Sequence, residues 1–118
     1  MKRLKIGIAT IEQYKARTIA IAAGKYKPAA DEPKIWFPSI ESVAKILSDK
    51  NRELLALISR TSPASLSELA EQTGRAKSNL SRTLRTMERY GLVTFAKGSG
   101  RQLAPRAEYT HFAFEVSL

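Results

Sequence analysis

The sequence predicts a mainly α chain that carries a β-hairpin, an α+β fold, and three observations point there. Apolar residues recur at helical spacing through most of residues 10–90. Helix-stopping glycines stand at Gly24, Gly74 and Gly91. The stretch after Gly91 then changes to strand-like residues around a glycine-rich basic turn, Lys97-Gly98-Ser99-Gly100-Arg101.

The elements follow in order. Leu4-Lys5-Ile6-Gly7-Ile8 alternates as a short strand. Thr10 can cap a helix running to Ala23, with Ile11, Tyr14, Thr18 and Ile21 at helical spacing and Gly24 as its stop. Residues 25–34 form an extended connector, and Ile35-Trp36-Phe37 is a brief strand or an anchor onto the core. Ser39 caps the next helix, whose apolar stripe is Val43, Ile46 and Leu47. A break near Asp49-Lys50 opens a helix over 51–60, with Leu54, Leu55, Leu57 and Ile58 inward, ended by Thr61-Ser62-Pro63. Ser65 and Glu68 make a capping box for a short helix packed through Leu66, Leu69 and Ala70. Gly74 permits a tight left-handed turn, and a longer helix runs from Lys77 to Tyr90. Leu92-Val93-Thr94-Phe95 reads as a strand, with a return strand over 102–106. A last strand carries Thr110, Phe112, Phe114 and Val116 on one face. Three segments result: an N-terminal extension over 1–40, a helical and hairpin body over 41–106, and a C-terminal strand over 107–118.

Composition narrows the chemistry. The 118 residues contain no cysteine and one histidine, His111, so thiol chemistry and a Cys- or His-built metal site are excluded. No Walker loop or paired-acid motif appears, and Gly98-Ser99-Gly100 opens no helix and is no nucleotide fingerprint. The expectation is a non-enzyme without cofactor or metal. The lack of a long apolar run or leader pattern suggests a cytoplasmic protein with no membrane partner. The net charge is +9, which favours a polyanionic partner. Its placement is sharper than its size: residues 75–106 carry eight Lys/Arg against Glu88 alone.

Helix, tight turn, helix, hairpin is the order of a winged helix-turn-helix. Projected at 100° per residue, the second helix places Leu80, Leu84 and Met87 on one stripe, with Ser78, Arg82, Arg85 and Arg89 opposite. Asn79, Ser81 and Thr86 flank that outward face. Arginine forks match guanine, an asparagine amide can pair with adenine, and Ser, Thr and Lys suit the backbone. A helix merely solvated by charge would carry both signs; this one carries a single acid near its end. The candidate DNA-binding residues are Arg75, Lys77, Ser78, Asn79, Ser81, Arg82 and Arg85 on the helix, with Lys97, Ser99 and Arg101 on the hairpin. The expected partner is double-stranded DNA with a palindromic operator, bound by a homodimer. The N-terminal strand and helix and the strand Tyr109–Val116 are the expected interface, because their apolar faces are surplus to the helix-turn-helix.

The run Gly74-Arg75-Ala76-Lys77-Ser78-Asn79-Leu80-Ser81-Arg82-Thr83-Leu84, then Met87-Glu88-Arg89-Tyr90-Gly91-Leu92-Val93, resembles the recognition helix and wing entry of MarR/ArsR-type regulators. The flanks, with Lys15-Ala16-Arg17 and Lys34-Ile35-Trp36-Phe37, resemble small prokaryotic DNA-binding regulators, some of them antitoxin-like. The resemblance implies a transcriptional repressor or, alternatively, an antitoxin that also neutralises a cognate toxin protein. One departure stands out. These families place a hydroxyl cap at the start of the recognition helix, with an apolar residue before it; here Ala76 and Arg75 occupy those places.

Overall fold

A computed structural model describes residues 2–98 and 102–118. The order is β1 (Lys2–Ile8), α1 (Ile11–Ala22), β2 (Ile35–Phe37), α2 (Ile40–Ile46), α3 (Asp49–Thr61), α4 (Leu66–Thr73), α5 (Lys77–Arg89), β3 (Thr94–Lys97), β4 (Leu103–Arg106) and β5 (Tyr109–Val116). The chain forms two compact units: Arg3–Ile46 with His111–Leu118, and Leu47–Thr110 with Lys2.

The first unit is built on a sheet in the order β2-β1-β5. β1 pairs in parallel with β2, matching Ile6 to Ile35, Gly7 to Trp36 and Ile8 to Phe37. The strand read there forms, with Leu4, Ile6 and Ile8 buried on one face and Gly7 buried as well. Gly7 leaves space for Trp36: a Cβ there would lie 2.7 Å from the ring's Cδ2. The ring also meets Arg17, whose guanidinium carbon stands 5.0 Å from its centroid. Arg17 in turn pairs with Glu32 at 3.0 Å, which ties the connector to α1. Thr10 caps α1 in a full capping box with Gln13. Gly24, at φ +72°, ends it, with the next amide, of Lys25, donating back to Ala20. No residue of α1 is buried, and Ile11, Tyr14 and Ile19 are exposed. Ser39 caps α2 by accepting from the Ser42 amide.

The second unit holds α3, α4, α5 and the antiparallel hairpin β3-β4, in which Phe95 faces Pro105. Its core is Leu54, Leu55, Ile58, Leu69, Leu80, Leu84, Met87, Leu92, Val93 and Ala104. Four details differ from the sequence reading. α3 starts at Asp49 rather than 51, because the Ser48 hydroxyl accepts the Asn51 amide and takes Asp49 and Lys50 into the first turn. Leu57, expected inward, is only half-buried. The Ser65 cap is present, but Glu68 reaches past it to accept the Ala64 amide at 2.8 Å, so the box does not close on Ser65. Leu92 and Val93 are buried but lie before the strand. The Leu92 amide donates to Met87 and the Gly91 amide to Glu88, a Schellman cap that uses the donor a strand would need.

Gly98 also proves to be a packing residue, since a Cβ there would collide with the Ala64 carbonyl oxygen. That contact brings the hairpin against the loop before α4. Arg106 adds to it by donating to the Pro63 carbonyl at 2.7 Å.

Gly7→Ala should destabilise the protein by about 1–3 kcal/mol, the usual range for overpacking. Trp36 is the one tryptophan of the chain, so its fluorescence reports the site directly. A shifted emission maximum in the folded variant is expected; wild-type emission and stability together would contradict the packing role.

Candidate nucleic-acid interface

The candidate interface begins with the turn that aims α5. Gly74 adopts φ +70°, a conformation that a side chain disfavours. Thr73 organises the turn from both sides: its hydroxyl donates to the Leu69 carbonyl at 2.9 Å and accepts the Arg75 amide at 3.2 Å. α5 then starts at Lys77, as its spacing predicts, with Ala76 as N-cap and no side-chain hydrogen bond on the cap. Ser78 does not substitute for it. The first turn carries no acid.

The two faces of α5 separate cleanly. Leu80, Leu84 and Met87 are fully buried. Lys77, Ser78, Asn79, Arg82, Arg85 and Arg89 are exposed, while Arg75 and Ser81 are half-buried. Among the described residues Arg82 joins none of the ion pairs, so the structural bridge that Glu68 or Glu71 could have offered is not made. Arg85 is engaged differently. It pairs with Glu88 at 3.0 Å and its guanidinium carbon lies 4.5 Å from the Phe95 ring centroid, which ties α5 to β3. The lone acid of the region is thereby neutralised by its neighbour. Lys97 is exposed at the end of β3. The predicted hairpin residues Ser99 and Arg101 lie outside the described residues.

One arrangement escaped the sequence reading. Arg75 donates to Asn79 Oδ1 twice, from Nε at 3.2 Å and from Nη2 at 2.8 Å. The signal was available, since positions four apart meet along a helix. Arg75 lies just outside α5, however, and helical spacing is not ordinarily extended past the cap. The Arg85–Phe95 stack joins residues on two elements and has no local signature.

A helix pair joined by a glycine turn and followed by a β-hairpin is a winged helix-turn-helix, and that is the fold of the Leu47–Thr110 unit. The chain belongs to the HVO_A0114 family, whose model matches residues 46–114. No curated protein matches the chain. Among solved structures, it is similar to one titled "Crystal structure of the predicted DNA-binding transcriptional regulator from E. coli", at 20% identity over 83% of each chain and a TM-score of 0.48.

Ala76→Ser should supply the missing acceptor and stabilise the protein by about 1 kcal/mol in urea unfolding, within the usual range for an N-cap. Unchanged or lower stability would mean that this helix entry is already satisfied.

Proposed function

We propose that the chain is a double-stranded DNA-binding transcriptional regulator, acting as a dimeric repressor on a palindromic operator. One observation carries the reading: α5 buries a continuous apolar stripe while its opposite face exposes Lys77, Ser78, Asn79, Arg82 and Arg85, with Glu88 paired. Long cationic donors, short hydroxyls and an amide on one exposed helix are the groups that hold phosphates and read base edges in a major groove. Asn79 and Arg82 are the base readers in this proposal, since they lie in the N-terminal half that enters the groove. Lys77 and Ser78 contact phosphate, as do Ser81 and the hairpin residues Lys97, Ser99 and Arg101. Arg75 and Arg85 contribute charge beside their contacts to Asn79 and Phe95. Arg89 lies seven residues beyond Arg82, roughly 10 Å along the axis, and is placed for phosphate.

The dimer rests on a second observation. Among the described residues, Ile11, Tyr14, Ile19, Phe114 and Val116 are exposed, all in the unit built on β1 and β5. Among the described residues of the other unit, the exposed large apolar ones reduce to Leu103. Exposed apolar residues that group into a patch mark interaction sites, and a second copy related by a two-fold axis would cover these and supply a second recognition helix. The antitoxin reading uses the N-terminal segment 1–40 to bind a toxin protein.

Arg82→Ala should weaken binding to a selected operator by about 1–3 kcal/mol and relax preference at one base pair per half-site. Lys97→Ala should instead weaken binding to all duplexes alike and lower the salt slope by roughly one unit. Fluorescence anisotropy on selected and random duplexes checks both. An Arg82→Ala protein that is folded and selects the wild-type motif at every position would remove the base-reading role.

Light scattering at a few tens of micromolar should give a dimer, with half-sites about 10 bp apart or a multiple of that. A monomer with and without DNA would contradict the dimeric repressor and leave the apolar surface to a different protein.

A further inference from the structure

We infer that Arg75 sets the base preference of Asn79, turning an amide that could pair with adenine into a reader of guanine. The inference rests on the DNA-binding reading of α5 and deepens it. A guanidinium only donates hydrogen bonds, so the amide atom facing Arg75 must be the carbonyl oxygen. That oxygen has two lone pairs, and Arg75 directs two donors at it, Nε at 3.2 Å and Nη2 at 2.8 Å. Its acceptor capacity is therefore filled. What Asn79 still presents outward is its NH2 group, with two donors and no acceptor.

Base edges in the major groove distinguish these cases. Adenine offers N7 as acceptor and N6 as donor, so its two-point pairing needs both the oxygen and the nitrogen of an amide. With Oδ1 held by Arg75, the adenine N6–H would be left without an acceptor, and a buried unmatched donor is costly. Guanine offers two acceptors, N7 and O6, which suit an NH2 group. Thymine offers one acceptor beside a methyl group, and cytosine offers a donor. Guanine is therefore the base that the locked amide accepts best.

The local structure holds Arg75 in this role. Its backbone amide is tied to the Thr73 hydroxyl at 3.2 Å, and the residue as a whole is half-buried. Asn79 and Arg82 are three residues apart on the exposed surface of α5. An arginine fork also matches guanine, so the two readers together ask for neighbouring guanines in each half-site. Arg75 is a positioning residue here: it acts on the base through Asn79.

Binding-site selection from a random duplex library tests this, using the full chain and its Asn79→Ala and Arg75→Met variants, each first shown to be folded by thermal melting. Arg75→Ala serves as the second variant if Arg75→Met does not fold. The wild type should select a G·C pair at the position whose preference Asn79→Ala abolishes, favouring it over A·T by about tenfold or more. Arg75→Met should open that same position to A·T while leaving the position read by Arg82 unchanged. Selection of A·T by the wild type, an undiminished G·C preference in the Arg75 variant, or an Asn79→Ala motif identical to wild type would each overturn the inference while the DNA-binding reading stands. Failure of the wild type to enrich any duplex would overturn both.

Discussion

Leu80, Leu84 and Met87 anchor α5 along one stripe, and the outward chemistry of this protein depends on that anchoring. Each is fully buried, and burial of such a side chain contributes roughly 1.5–3 kcal/mol. Three of them outweigh a missing N-cap, which costs about 1 kcal/mol. Tertiary packing therefore holds this helix where local signals do not, as is common for helices of its length. The packing leaves most of the other face free of core contacts, Arg85 against Phe95 apart, so polar and cationic groups can occupy it from Lys77 to Arg89.

The exposed face is not a loose fringe of charge. Arg75 grips Asn79, and Arg85 is braced between Glu88 and Phe95. Exposed pairs of this kind contribute little to stability, commonly under about 1 kcal/mol. Their effect is on geometry: they reduce the rotamers a side chain must give up when a ligand arrives. At the hairpin the same economy appears in the backbone. Gly98 lets the strand approach Ala64, and Arg106 occupies the Pro63 carbonyl. Both contacts fix the hairpin relative to the loop that leads into α4.

Much of this was legible in the sequence where one period or one punctuating residue dominated. The stripe of α5, its start at Lys77, the Gly74 turn and the β1 alternation all follow from spacing that packing did not override. Leu92 and Val93 were misread because β-propensity cannot show that the Leu92 amide is used by the helix before it. Asp49 and Lys50 looked like a break, yet Ser48 makes them a first turn. The apolar alternation of Phe112, Phe114 and Val116 predicted a strand, and the exposure of Phe114 and Val116 agrees with an apolar face surplus to the helix-turn-helix. Spacing could not reveal that β5 joins β1 in one sheet, since strands a hundred residues apart carry no local mark of pairing. Of the candidate site, the residue types were legible and their mutual contacts were not.

The proposed contact between the exposed face of α5 and double-stranded DNA is open to direct measurement. The most direct measurement is an NMR titration of the labelled protein with a selected duplex, following backbone amides together with the Asn79 side-chain NH2 and the arginine Nε–H signals. The largest shifts should fall at Lys77 to Arg82, including the Asn79 amide group and Arg82 Nε–H, with small changes at the buried Leu84 and Met87. Shifts confined to residues 3–46 and 111–118, with α5 unmoved at saturation, would contradict it.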